Sequence, residues 1–171
     1  PPFHPIRGSG DTLGVLLREY RFGAAGLPAS VKALGRELLA APAYFEAVVD
    51  GRPARFTGAS PDIAVTGGGY EASLAASARA EGVNLAVNGT FEYDGFIWNE
   101  LSLSGTEGKT LDRFTLVVPL KDAEAPLMHI CTADSIRYNP TGRVPAGEGV
   151  VWDGTKLHRS TGFLDDMFAP Q

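Results

Sequence analysis

The segment over residues 84–104 constrains the fold of this chain most, because it reads as a long β-hairpin. In its first half, apolar side chains recur at every second position, as in a strand with one buried face: Leu85, Val87, Phe91 and Tyr93. Asp94-Gly95 then interrupts the pattern, and Asp-Gly between two β-prone runs predicts a type I′ turn. The returning half is again apolar, with Phe96, Ile97, Trp98, Leu101 and Leu103. Because an isolated hairpin is at best marginally stable in water, the rest of the chain should supply a facing sheet.

Most of the remaining chain also reads as strands separated by turn residues. The candidate strands are residues 12–22, 29–33, 43–50, 54–57, 70–80 and 110–121, with shorter ones at 127–132, 135–138 and 150–153. Within 12–22 the apolar positions change parity, which indicates a bulge or a strand buried on both faces, although the leucine spacing there also permits a helix. Residues 37–41 are locally helix-prone. About ten strands without a long helix predict an all-β fold, a two-sheet, mostly antiparallel β-sandwich of the supersandwich kind.

The same alternation predicts which side chains fill the space between the two sheets. We expect two groups there, each of one parity: Leu85, Val87 and Phe91 in the hairpin, and Leu116, Val118 and Leu120 in residues 110–121. Pro119 cannot donate a ladder hydrogen bond, which predicts an edge or a bulge at that point. The alternating alanines of residues 70–80 are small enough for a neighbouring layer to approach closely.

The first ten residues differ in composition from the rest. They contain three prolines and two glycines, which predict an extended arm without regular structure. Phe3 and Ile6 give this arm two apolar anchors, so we expect it to make contacts. We therefore divide the chain into an arm over residues 1–10 and a single sandwich domain over residues 11–171.

Composition excludes several classes of protein. The chain has 171 residues, and 15 basic against 20 acidic residues give a formal net charge of −5, with no basic run of the kind that nucleic-acid binding requires. A single cysteine, Cys131, rules out a disulfide within the chain, and we expect it to be a buried core residue. The three histidines lack zinc-ligand spacing, and no apolar run is long enough to span a membrane. We expect no metal and no cofactor.

Aromatic residues give the candidate binding site. Tyr93, Asp94, Phe96 and Trp98 cluster around one turn, and Trp152 lies in a glycine-flanked segment. Aromatic side chains exposed on the rim of a sandwich can stack on sugar rings or contact another protein. The more common alternative is that a tryptophan beside a hairpin packs on the second sheet. Two carboxylates, Glu92 and Asp94, lie beside the same turn, and we expect both to be solvated rather than catalytic.

Several segments together resemble one known family. They are REYRFGAAGLPASV, ELLAAPAYF, GTFEYDGFIWNELSLS, LDRFTLVVPLK, APLMHI and RVPAGEGVVWD, and the most specific are residues 92–95 and 147–153. In this order they resemble the N-terminal β-sandwich domain of proteins related to glycoside hydrolase family 123, over residues 10–168. In that family the active site lies in a TIM-type barrel that follows the sandwich, and the founding activity is hydrolysis of β-linked N-acetylgalactosamine assisted by the substrate's acetamido group.

The resemblance implies a non-catalytic accessory domain of a carbohydrate-active enzyme. We expect the barrel to lie beyond Gln171, so no catalytic residue is transferred to this chain. Its implied partners are that barrel, with carbohydrate as a further candidate, and its implied location is extracytoplasmic or secreted. The alternative is an assembly module that joins neighbouring subunits into an oligomer or filament through the sandwich and the extended arm.

Overall fold

A computed structural model describes residues 4–129 and 141–150, and in these ranges the regular structure is almost entirely β. The strands are β1 Arg7–Ser9, β2 Thr12–Val15, β3 Arg18–Phe22, β4 Pro28–Ala33, β5 Arg36–Glu37, β6 Tyr44–Val49, β7 Arg52–Arg55, β8 Asp62–Thr66, β9 Glu71–Ala80, β10 Val83–Glu92, β11 Ile97–Ser104, β12 Leu111–Val117, β13 Leu127–His129 and β14 Thr141–Arg143. Two short 3₁₀ turns lie at Ala24–Gly26 and Gly67–Gly69. Every strand pair in the described ranges is antiparallel.

The chain divides into two compact units, Pro1–Lys121 and Asp122–Gln171. The first contains three sheets, with the strand orders β1-β2-β3-β4-β5, β11-β10-β9-β8 and β12-β6-β7. The described part of the second unit contains the antiparallel pair β13-β14, beside which the backbone N–H of Val144 donates to the carbonyl oxygen of Pro126 (3.0 Å).

The four-stranded sheet forms one layer of a sandwich, and the two other sheets of the first unit form the facing layer. One end of its inner face packs against β6 and the end of β7, in a core cluster that includes Phe45, Val49, Phe56, Val83 and Leu85. The other end packs against β1 to β3 in a second cluster, which includes Leu13, Tyr20, Phe22, Leu74 and Phe91. The predicted all-β, mostly antiparallel sandwich is confirmed. The hairpin over residues 84–104 forms two neighbouring strands, β10 and β11, of the four-stranded sheet.

Small side chains on β9 allow the facing layer to approach closely, as the alternating alanines indicated. The 3₁₀ turn at Ala24–Gly26 lies against β9 and β10. Gly26 has a positive φ of 67°, and a Cβ on it would lie 3.3 Å from the Cβ of Ala76. A larger residue than alanine at position 76 would therefore push this turn away from the sheet.

The core prediction is confirmed for β10 and wrong for the strand that follows β11. Leu85, Val87 and Phe91 are 1%, 1% and 0% exposed, whereas the group Leu116, Val118 and Leu120 is 51%, 48% and 50% exposed. The reason is position, since β12 is an edge strand and ends at Val117, before Pro119. Its inner face is half-buried at Phe114, which stacks on Phe45 with ring centroids 5.1 Å apart, and the face is uncovered beyond it.

Two further predictions of local structure are wrong. Residues 12–22 form the hairpin β2-β3, not one strand or helix, because the chain turns at Leu16-Leu17 and Leu17 has a φ of 63°. That turn is the cause of the change in parity. Residues 37–41 contain no helix, because Leu39 instead forms an antiparallel bridge with Leu120.

The predicted arm has regular structure in its described part. Arg7–Ser9 pairs with β2, and Ile6 is buried in the second core cluster, where its backbone N–H donates to the carbonyl oxygen of Gly69 (2.7 Å). The expected lack of regular structure is therefore wrong for β1, although the predicted apolar anchor at Ile6 is confirmed. The division into an arm over residues 1–10 and a domain over residues 11–171 stays a prediction. The expectations for Phe3, Cys131, residues 135–138 and Trp152 lie outside the described residues.

One carboxylate fixes the segment that continues from β5. The Glu37 carboxylate accepts hydrogen bonds from the Ser30 hydroxyl and from the backbone N–H groups of Val31 and Leu39, the last two at 3.0 Å. Partial burial raises the pKa of Glu37, but these hydrogen bonds and the nearby Lys121 ammonium lower it by more, so the pKa lies below its usual value. The ionised form of Glu37 is therefore part of the folded structure.

Candidate functional site

The turn between β10 and β11 carries most of the candidate binding residues, and its type differs from the prediction. The backbone N–H of Gly95 donates to the Glu92 carbonyl oxygen (2.8 Å), and that of Glu92 donates to the Phe96 carbonyl oxygen (2.9 Å). Among residues 93–95 only Gly95 has a positive φ, of 86°. This is a three-residue loop, a type I turn followed by a left-handed residue, so the predicted type I′ turn is wrong.

Glycine is required at position 95 because the five-stranded sheet comes close to this turn. The Tyr20 hydroxyl donates to the Gly95 carbonyl oxygen (3.3 Å), and the Arg18 guanidinium donates to the Tyr20 hydroxyl oxygen (3.3 Å). A Cβ at position 95 would lie 2.6 Å from that hydroxyl oxygen. The loop is thus hydrogen-bonded to the facing layer.

Two of the candidate residues, Tyr93 and Asp94, make contacts within the fold. Tyr93 is half-buried, and its ring meets Tyr70 edge-on with centroids 5.9 Å apart. The Tyr93 backbone N–H also donates to the Tyr70 carbonyl oxygen (3.0 Å). The Asp94 carboxylate accepts from the backbone N–H of Phe96 (2.9 Å), an interaction within the turn. These two residues therefore shape the loop.

The two other candidates in this loop and strand are exposed. Phe96 and Trp98 are 51% and 60% exposed, so the alternative in which Trp98 packs on the second sheet is wrong. Trp98 pairs with Thr90, which lies between the buried residues Gly89 and Phe91, and this register places the indole on the outer face of the four-stranded sheet. The fifth candidate, Trp152, lies outside the described residues.

The outer face around Trp98 consists of short or polar side chains. Successive rows across β11, β10 and β9, taken from the strand pairing, are Trp98-Thr90-Ser73, Glu100-Asn88-Ala75, Ser102-Ala86-Ser77 and Ser104-Asn84-Arg79. Asn84, Asn88 and Thr90 lie between the core positions of β10, and the sequence pattern alone assigns them no role. The pairing register, which the sequence does not state, brings Asn88, Thr90 and Glu100 beside the indole.

A second surface feature lies at one end of the five-stranded sheet, where two turns expose three leucines. Leu16, Leu17 and Leu34 are 42%, 61% and 73% exposed, and we call them the leucine tip. The two turns are adjacent, since the backbone N–H of Leu34 donates to the Leu17 carbonyl oxygen (2.9 Å). Leu17 and Leu34 have φ values of 63° and 51°, a left-handed conformation that is unfavourable for a bulky side chain.

One small pocket lies between the ends of several hairpins and is lined by Val49, Asp50, Arg52, Glu81 and Lys109. Two of the lining side chains are acidic and two are basic, so the pocket has no net charge. Asp50 is also used structurally, because its carboxylate accepts from the backbone N–H of Thr110 (2.8 Å). Within the ranges 4–129 and 141–150, no three His, Cys, Asp or Glu side chains are grouped to hold a metal ion. Over the same ranges, no helix has the length and apolarity needed to cross a membrane.

Comparison with known proteins gives one family. The family model described as glycoside hydrolase 123, third domain, matches residues 6–152. No curated protein and no solved structure matches this chain. The glycoside hydrolase 123 relationship expected from the sequence is confirmed, with the difference that the matching domain is described as the third one rather than an N-terminal one.

Proposed function

Because this chain belongs to the family of glycoside hydrolase 123 third domains, we propose that it is a non-catalytic accessory domain that packs on and supports the catalytic domain of a glycosidase. The observation that carries this proposal is the family match over residues 6–152. A third domain belongs to a protein with further domains. The catalytic domain is the partner against which such a sandwich would pack. The alternative of an assembly module draws no support from the described part of the arm, where β1 pairs with β2 of its own chain.

The leucine tip is the surface that we assign to this docking. Three exposed leucines on adjacent turns lose unfavourable contact with water when another protein covers them. Turn positions with positive φ ordinarily use Gly, Asn or Asp, so Leu17 and Leu34 reduce the stability of the isolated domain. Residues that are both strained and exposed are typical of a surface whose role lies in an interaction.

The double substitution Leu17→Asn and Leu34→Asn tests this docking surface. Asparagine accepts a left-handed conformation better than leucine, so the isolated variant should melt at the same or a higher temperature. If the tip docks on the catalytic domain, the variant should bind that domain at least about tenfold more weakly, because apolar contact area is removed. The measurement is titration calorimetry between this chain and the separately expressed catalytic domain of the parent protein.

A matched control is Leu101→Asn, which changes an exposed leucine on β11, away from the leucine tip. It should leave the association unchanged. If the unaltered chain does not associate with the catalytic domain, and the parent enzyme keeps its activity and melting temperature when this domain is deleted, the accessory role is wrong. If association persists unweakened in the double variant, the accessory role stands and the docking surface lies elsewhere.

A second test concerns the absence of catalysis from this chain. The purified chain should not hydrolyse aryl β-N-acetylgalactosaminides, because we place the active site in the catalytic domain. Turnover by pure material that a substitution within this chain abolishes would contradict the proposal. Activity that remains after every such substitution would instead indicate a contaminating enzyme.

A further inference from the structure

We propose that the outer face of the four-stranded sheet, centred on Trp98, binds a neutral glycan chain. This inference rests on the proposed function only for the class of ligand, since the parent enzyme acts on carbohydrate. Its structural basis is independent of the docking surface, because Trp98 lies on β11 and the leucine tip lies on the turns of β2-β3 and β4-β5.

The first observation is a large aromatic ring presented to solvent on a strand. Trp98 is 60% exposed, although indole is among the side chains that gain most from burial. Its neighbours on the outer face do not cover it: Thr90 lies directly opposite on β10, and Glu100 follows two residues later on β11. Nothing in the described ranges stacks on the ring. An exposed indole is the group that packs against the C–H face of a pyranose.

The second observation is the set of polar groups around the ring. Thr90, Asn88 and Glu100 offer a hydroxyl, an amide and a carboxylate, and within the described ranges none of these side chains has a hydrogen bond or ion pair. Paired residues on one sheet face lie about 5 Å apart, and diagonal or next-row neighbours about 7 Å apart. A sugar stacked on Trp98 therefore has donors and acceptors within reach of its hydroxyl groups.

The third observation is the shape of the remaining face. Beside this cluster the floor consists of Ser73, Ala75, Ser77 and Ala86, all with short side chains. The width of four strands is about 14 Å, which accommodates more than one sugar residue. An open sheet face with short side chains and one aromatic anchor suits an extended chain better than a compact small molecule, which normally requires a concave pocket.

The charge of the face selects neutral glycans. Its ionisable side chains are four acids and one base: Asp62, Glu71, Glu92, Glu100 and Arg79. Glu71 and Glu92 lie directly opposite each other. Two like charges in this position destabilise a sheet unless another group compensates for their repulsion. The acidic character disfavours sulfated or uronic-acid polymers, whereas carboxylates are good acceptors for neutral sugar hydroxyls.

The test measures binding of the complete chain to defined glycans. The probes are insoluble chitin and cellulose, a soluble N-acetylglucosamine tetramer, cellotetraose, and heparin as the anionic comparison. In NMR titrations we expect the Trp98 indole N–H to shift with at least one neutral oligosaccharide, with a dissociation constant of about 1 mM. Heparin should not bind.

Variants locate the site. Trp98→Ala should weaken the binding at least tenfold, and Asn88→Ala or Glu100→Gln should weaken it roughly threefold to tenfold through lost hydrogen bonds. Leu101→Ala is the matched control, because Leu101 pairs with the buried Val87 and so lies on the same strand but the opposite face. It should leave binding unchanged, and all four variants should retain the melting temperature to within a few degrees.

Three results would overturn the glycan site. They are no binding to any neutral probe, binding that survives Trp98→Ala, and preferential binding of heparin. A fourth is that Trp98→Ala weakens association with the catalytic domain while no glycan binds, which would make this face a protein interface. The first three results leave the test of the leucine tip unchanged. The fourth moves the docking surface to this face and leaves the accessory role standing, so the glycan site and the accessory role can fail separately.

Discussion

Strands β10 and β12 have the same pattern of alternating apolar residues, yet only one of them is buried. β10 has neighbours on both edges, β9 and β11, and its inner face is covered by the two other sheets of the first unit. β12 has a partner on one edge only and projects past the covered part of the core, which leaves Leu116 half exposed. Alternation therefore identifies a strand and its two faces, whereas burial of the apolar face depends on where the strand lies in its sheet.

The largest effect that follows from this comparison is at Phe91, the centre of the second core cluster. Its ring is fully buried and meets Tyr20 and Phe22 edge-on, with centroids 5.1 and 6.0 Å away. Phe91→Ala should lower the free energy of unfolding by about 3–5 kcal/mol, since it removes apolar area and leaves a cavity. Chemical denaturation of the two proteins measures the difference.

If Phe91→Ala does not fold, Phe91→Leu keeps the prediction testable. It should cost less in the same direction, because part of the volume is retained. A loss below about 1 kcal/mol for the alanine variant would show that β10 is no better covered than β12, and would remove the contrast between the two strands.

Sequence reasoning succeeded where a local pattern determines the structure and failed where coverage or pairing does. The hairpin over residues 84–104 was predicted from the alternation on either side of Asp94-Gly95, and it forms β10 and β11. The turn at Leu16-Leu17 was missed, because leucine gives no turn signal and the change of parity also fits a bulge. The exposure of Trp98 could not be predicted either, since it depends on the register between β10 and β11 and on what covers each face.

An intermediate effect concerns the segment that supports the chain beyond β12. Leu39 bridges Leu120, and Glu37 holds the backbone N–H of Leu39 in place. Glu37→Gln keeps the shape and removes the charge, so it should cost about 1 kcal/mol at pH 7, reduced by partial solvent screening. A lowered pKa in the folded state gives stability that is complete above the unfolded pKa and is lost as the pH falls through the folded pKa.

The difference between the Glu37→Gln variant and the unaltered chain should therefore shrink as the pH falls below about 4. The control is Glu19→Gln, which removes an exposed ion pair with Lys32 (3.3 Å) and should change stability by less than about 0.5 kcal/mol. Denaturation at several pH values measures both. A difference for Glu37→Gln that stays constant from pH 7 to pH 3 would show that its charge does not support the end of β12.

The smallest effect is expected at Leu116, and it tests the comparison most directly. Leu116 pairs with Phe45 and Phe114 pairs with Ala47, so both side chains lie on the face that points inward. Phe114 contacts Phe45 and Phe56, with ring centroids 5.1 and 5.6 Å away, whereas Leu116 is 51% exposed. Phe114→Ala should therefore cost about 2 kcal/mol, and Leu116→Ala no more than about 0.5 kcal/mol. Denaturation of the isolated chain measures both, and a loss of 2 kcal/mol or more at Leu116 would mean that its face is covered in solution and that β10 and β12 do not differ.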